Sequence, residues 1–171
     1  MTEQMVLPTP IGPLVLIAST RGLRAVLWSP DEAHRVPGVE PDEVSPPSDE
    51  APPRSAGIIL QQAAEELDGY FEGTRRSFEV PLDPVGTAFQ QQAWAALRTI
   101  PYGETVSYGE QAERLGDRRK ARAVGAANGR NPISIIVPCH RVVGSNGSLT
   151  GFGGGLDVKA WLLDHERFAN P

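Results

Sequence analysis

The sequence predicts an α/β protein in two parts. A small N-terminal sheet-plus-helix domain spans 1–82, and a mostly helical C-terminal domain with a helix-turn-helix spans 83–171. Three observations carry this reading. Short apolar runs of strand length, broken by turn signals, open the chain. Apolar residues then recur at helical spacing. In the second half, two N-capping signatures start helices, and a tight turn at Gly116-Asp117 joins the second of them to a third.

The strand runs are 5–7, 14–18 and 23–28, with Gly12-Pro13 and Arg21-Gly22 as hairpin breaks. Residues 37–54 hold six prolines and many acids. Such a stretch buries too little apolar surface to order itself and is expected to be a mobile loop. Ile59, Leu60, Ala63, Leu67, Tyr70 and Phe71 then mark a helix, 77–82 a returning strand, and 81–86 a linker. Thr87-Ala-Phe-Gln90 has the form of a capping box, and Phe89, Ala93, Leu97 and Ile100 share the face of the helix it opens. Pro101-Tyr102-Gly103 ends that helix. Ser107-Tyr108-Gly109-Glu110 is a second capping box and opens a helix to about Leu115. After the turn at Gly116-Asp117, 118–128 reads as a third helix. A strand at 133–137, a Pro-Cys-His-Arg turn, a glycine-rich loop at 144–155 and a last helix over 157–168 complete the chain.

Composition excludes several classes. No apolar run approaches the roughly 20 residues a membrane helix needs, so no membrane association is expected. The N-terminus lacks the basic start of a signal peptide, and Pro8, Pro10 and Pro13 interrupt it. One cysteine makes no internal disulfide, and a lone thiol fits a reducing cytoplasm best. Three histidines and one cysteine without paired spacing offer no metal site. The net charge of −5 is unevenly spread. Residues 31–68 hold ten acids against two arginines, whereas 114–141 hold seven basic residues and a single acid, Asp117. That local basic patch is of the kind that meets phosphates, although a charge run alone is more often a solvated helix face.

The chemistry centres on Pro138-Cys139-His140-Arg141-Val142. A lone cysteine is usually a small buried hydrophobe. A preceding proline and two following polar residues place Cys139 on an exposed turn instead. A free thiol is only a few per cent thiolate at neutral pH, so a nucleophile needs a nearby base or cation, which His140 and Arg141 supply in type. The base needs an orienting carboxylate in turn, and Asp164 and Glu166 are the candidates.

These residues, with Gly86-Thr-Ala-Phe-Gln90, 100–108, 121–128, Asn131-Pro132, 136–143 and 154–163, closely resemble the O6-alkylguanine-DNA alkyltransferases, or methylated-DNA–protein-cysteine methyltransferases. The resemblance covers most of 86–166 in the family's order and implies an RNase H-like fold for the N-terminal part. It implies direct-reversal DNA repair. Cys139 takes the alkyl group of O6-alkylguanine, with O4-alkylthymine as a further substrate class. His140 receives the thiol proton through a water, and Glu166 orients His140. Without a cofactor or second cysteine to remove the alkyl group, each molecule acts once. Tyr108 is implied to donate to the flipped base, Asn131 to tie the DNA helix to the active-site turn, and Lys159 to position the active-site backbone. Val142, Phe152 and Gly153 line the alkyl pocket, and Phe152 departs from the tyrosine common there. Arg122 fills the space the flipped base leaves. The small Ala121, Ala123 and Gly125 let the helix approach double-stranded DNA from the minor groove, Arg130 is a further DNA-binding residue, and the protein acts as a monomer. The intact cysteine argues against a non-catalytic lesion binder. A helix-turn-helix regulator would bind DNA without regard to lesions, and a thiol hydrolase leaves the basic helix without a role. An adaptive-response activator would need a cysteine-rich zinc domain.

Overall fold

The structure is a computed structural model and describes residues 2–29, 32 and 54–168. It divides into two compact units, 1–85 and 86–171. Among the described residues no helix is long and apolar enough to cross a membrane.

In the first unit, β1 (Thr2–Leu7), β2 (Leu14–Ser19) and β3 (Leu23–Leu27) form an antiparallel sheet in chain order. The register pairs Leu7 with Leu14 and Val15 with Leu27, with a bulge at Ile17/Ala18. Every residue of β2 is buried, as expected for a central strand covered on both faces. Helix α1 (Arg54–Glu72) packs on the sheet through a stripe that includes Leu60, Ala63, Leu67 and Tyr70. The loop expected at 37–54 lies outside the described residues, apart from Arg54, which already belongs to α1.

The strand expected at 77–82 does not form. Only Leu82 makes a bridge, parallel to Leu23. The backbone amides of Glu79 and Val80 bond the buried Glu66 carboxylate rather than a neighbouring strand. Pro81 has no amide to offer a ladder. The segment still docks on the sheet, because Leu23 N bonds Pro81 O at 2.8 Å and Asp83 N bonds Leu23 O at 2.8 Å. Gly22 permits this approach, since a Cβ there would lie 2.8 Å from backbone atoms of Pro81 and Leu82. Asp83 also pairs with Arg24 at 2.7 Å.

In the second unit, α2 (Ala88–Leu97) opens with the full capping box of Thr87 and Gln90. It buries Ala93 and Leu97, as its spacing predicts, and also Trp94, whose Nε1 donates to Ala127 O at 2.8 Å. Strand β4 (Val106–Ser107) leads straight into α3 (Tyr108–Arg114), with Ser107 capping through its hydroxyl. Gly116, at φ +101°, makes the turn. The third helix starts later than its sequence predicts. Residues 118–120 form a 3-10 turn capped by Asp117, and α4 is Ala121–Gly129. A reciprocal amide pair locks α3 to α4: Asn128 donates to Gln111 at 2.7 Å and Gln111 to Asn128 at 3.1 Å. Gln111 also reaches Ala93 O on α2. Strand β5 (Val142–Val143) pairs in parallel with β4, and α5 (Leu156–Phe168) closes the unit.

The strand expected at 133–137 is instead a compact turn. Val137 N bonds Ile133 O, Ile136 N bonds Ser134 O, and Ile135 sits at φ +73°. All five residues are buried. A mostly apolar run reports burial, and burial alone does not separate a core strand from a buried turn.

Candidate active site

That turn sets the position of Cys139. Asn131 Nδ2 donates to Val137 O at 2.8 Å, and its Oδ1 accepts from Ile133 N at 3.0 Å, so one side chain clasps both ends of the turn. A left-handed conformation at a β-branched residue costs about 1–3 kcal/mol and persists only where its surroundings over-determine it. Here the fully buried Ile133 and Ile135 side chains and the Asn131 clasp do so. The chain then enters a 3-10 turn, Cys139–Arg141, with Arg141 N bonded to Pro138 O.

Cys139 is half-buried. The exposed turn expected around it is corrected for its neighbours, since His140 is 0% and Arg141 6% exposed. His140 Nε2 lies 2.6 Å from Glu166 Oε2. Arg141 grips the same carboxylate with two bonds, Nε to Oε1 at 2.8 Å and Nη2 to Oε2 at 3.1 Å. Gly103 N adds a third donor at 3.3 Å, and Arg141 Nη1 anchors to Ile100 O at 2.7 Å. Arg141 is thus withdrawn from the basic patch to which its sequence position assigns it. Asp164, the alternative carboxylate, is exposed.

The electrostatics assign the proton positions. Burial alone would push the Glu166 carboxyl up, but hydrogen bonds from His140 and Arg141, with the Arg141 charge, hold it well below the ordinary carboxylate range. Burial pushes His140 down, against the pull of Glu166, and the charges of Arg141 and Lys159 push the same way. The imidazole is therefore neutral at physiological pH. Its Nε2–H donates to Glu166, and buried Nδ1 has no partner among the described residues. Burial raises the Cys139 thiol above its usual value, while a hydrogen bond from Asn131 and the Lys159 charge draw it partly back. The resting thiol is protonated, and the neutral imidazole keeps one unprotonated nitrogen, Nδ1.

Lys159 reads by default as an exposed helix charge, yet it is 1% exposed. Its Nζ donates to Val142 O at 2.7 Å and to Thr150 O at 2.8 Å, joining α5 to the active-site strand and to the glycine-rich loop. Thr150 Oγ1 donates to the Tyr108 hydroxyl at 3.1 Å. The Tyr108 ring passes α4 at Gly125, where a Cβ would meet it at 3.6 Å. Phe152 is half-buried and Gly153 exposed on the 144–155 loop.

On α4, Val124, Ala127 and Asn128 face inward. Ala121 and Gly125 are half-buried, while Arg122, Ala123, Ala126 and the C-cap Arg130 are exposed. Arg118 and Arg119 pair with Glu113 and Asp117, but Arg122 and Arg130 make no ion pair among the described residues. The outer face of α4 is therefore a strip of small side chains with an uncommitted arginine towards either end. Gln111, Asn128 and Thr150 escape sequence reasoning, as does the pairing of Arg141 with Glu166. Each is a polar residue whose partner lies far along the chain, and no local spacing signals such a pairing.

A buried Glu–His pair next in the chain to a free thiol, on a unit whose paired helices expose arginines around a strip of small side chains, defines a thiol protein of DNA-binding architecture. Two family models match the chain: 6-O-methylguanine DNA methyltransferase, ribonuclease-like domain, over residues 4–84, and its DNA-binding domain over 88–168. The chain is 45% identical over 161 residues to the methylated-DNA–protein-cysteine methyltransferase of Methanosarcina acetivorans, covering 92% of this chain and 94% of that one. It is 48% identical over 159 residues to the enzyme of that name from Mycobacterium leprae, covering 93% and 88%. The fold superposes on the crystal structure of Mycobacterium tuberculosis OGT in complex with DNA with a TM-score of 0.80 at 42% identity, covering 97% of this chain and 93% of that one. The chain belongs to the 6-O-methylguanine DNA methyltransferase family.

Proposed function

We propose that this protein repairs O6-alkylguanine in double-stranded DNA by moving the alkyl group onto its own Cys139. The observation that carries this reading is the chain Arg141–Glu166–His140 beside the thiol, which leaves a neutral His140 Nδ1 as acceptor. His140 takes the thiol proton through a water. The sulfur attacks the alkyl carbon in line, the carbon–oxygen bond breaks, and its electron pair goes to the guanine. Tyr108 donates to the guanine ring edge and disperses that charge. The proton lost by the thiol balances the one gained by guanine, so only the thiol is consumed. The product is a thioether, and no second thiol is present to remove the alkyl group. Each molecule therefore turns over once, as a monomer, in a compartment reducing enough to keep the thiol free.

The target base must leave the stack to reach Cys139, at a cost of a few kcal/mol. Arg122, exposed and unpaired on α4, fills the vacated space from the minor groove. Ala121, Ala123 and Gly125 allow close approach, and Arg130 meets phosphate. Asn131 links this helix to the Cys139 turn, and Val142, Phe152, Gly153 and Lys159 shape the pocket. Arg122→Ala is expected to slow single-turnover repair of duplex O6-methylguanine by at least about tenfold, the loss of roughly 1.4 kcal/mol, while free O6-benzylguanine reacts at nearly the wild-type rate. Equal losses on the two substrates would show that Arg122 serves the pocket or the fold instead.

A further inference from the structure

The reaction asks the Tyr108 phenol to present its proton to the base, and something must hold that proton in the right direction. A phenol oxygen can accept a hydrogen bond while donating its own proton. Left to itself, the O–H turns about its bond to the ring and shares its proton with water. Thr150 Oγ1 donates to this oxygen at 3.1 Å, which leaves the phenol proton for a second partner. An accepted hydrogen bond also polarises the O–H and strengthens it as a donor.

Thr150 is itself fixed at the point where this contact starts. Its carbonyl accepts from the buried Lys159 Nζ at 2.8 Å, and the same ammonium holds Val142 O at 2.7 Å. Val142 pairs with Val106 in β4, and β4 runs directly into Tyr108. The hydroxyl that donates and the phenol that accepts are thus referenced to one cation. The surrounding loop is otherwise permissive, with Gly147, Gly151 and Gly155 all at positive φ. Threonine is suited to the position, because a short β-branched side chain has few rotamers to restrict.

We propose that Thr150 is a positioning residue for alkyl transfer, aiming the Tyr108 phenol proton at the base through its own hydroxyl. The proposal rests on the reading of Tyr108 as the donor to guanine. It also fixes what a valid residue at this position must supply: a hydroxyl within reach of the phenol, on a backbone that Lys159 holds.

The test is a double-mutant cycle read in single-turnover alkyl transfer to the full-length protein from duplex O6-methylguanine. The variants are Thr150→Val, Thr150→Ser, Tyr108→Phe and the Val/Phe double, each first shown to keep the wild-type melting curve. Thr150→Val, which keeps the shape and loses the donor, is expected to slow transfer on the order of fivefold, the kinetic equivalent of one hydrogen bond. Thr150→Ser is expected to restore most of the rate. In the Tyr108→Phe background Thr150→Val is expected to cost nothing further. If Thr150→Val slows the Phe variant as much as it slows wild type, Thr150 acts on the loop and the proposal is overturned. If Tyr108→Phe is slow while Thr150→Val matches wild type, the proposal alone fails. If Tyr108→Phe itself reacts at the wild-type rate, the donor role of Tyr108 fails first.

Discussion

Glu166 takes on two tasks through one carboxylate. It accepts from His140, which fixes the imidazole tautomer, and it neutralises Arg141, which is buried behind the active-site turn. Both tasks fail when the carboxylate is removed. Removing the carboxylate removes what raises the His140 pKa, so the base weakens. It also leaves Arg141 buried without its counter-ion, which typically costs about 3–5 kcal/mol. The pH dependence follows from the same groups. His140 is neutral in the fold, whereas the unfolded chain protonates it below about pH 6.5. Glu166 stays ionised in the fold, whereas the unfolded chain protonates it near its ordinary 4.5. In both cases the unfolded state binds more protons as pH falls, so stability present at neutral pH is lost on acidification through these values. Glu166→Gln is expected to lower stability at about pH 7.5 by several kcal/mol and to flatten the loss below about pH 4.5, as measured by urea unfolding. A variant as stable as wild type, with the same acid slope, would show that the carboxylate carries neither load.

At the scale of elements, the Cys139 turn departs furthest from its sequence pattern. Four apolar residues within five positions, around Ser134, look like a core strand, and only the structure reveals that Asn131 folds them into a clasped turn with Ile135 left-handed. The helices were more legible. Thr87 and Ser107 announce their starts because a capping side chain bonds an amide three residues on, which is a local event. What closes the helices on one another was not legible. The Gln111–Asn128 amide pair and the Trp94 bond to Ala127 O join residues far apart in the chain. Asn131→Ala removes both bonds of the clasp, leaving Ile133 N unsatisfied and Val137 O with only the Cys139 amide. It is expected to cost about 2–4 kcal/mol in urea unfolding and to reduce reaction with free O6-benzylguanine and duplex DNA alike, because the thiol loses its placement in both. A loss confined to duplex DNA would mean that Asn131 acts on α4 rather than on the turn.

For the whole molecule, the two-part plan and the Cys139-His140 pair are legible in the sequence because their signals are short-range or compositional, whereas the choice of Glu166 over Asp164 rests on the family resemblance. Periodicity shows the sheet and helices, one cysteine stands out where there is no second, and motif order carries the family. The depth of the site could not be read that way. His140, Arg141, Lys159 and Glu166 are all polar and all buried: the first two share the Glu166 carboxylate, and Lys159 holds two backbone carbonyls. The central claim is that this arrangement makes Cys139 a single-use alkyl acceptor for damaged DNA. It is tested most directly by the intact mass of the protein after incubation with excess duplex DNA carrying one O6-methylguanine, beside unmodified DNA and Cys139→Ser. The account predicts the addition of one methyl group per chain with the lesion, and none with either control. Lesion binding without a mass increase, or an increase that survives Cys139→Ser, would contradict it.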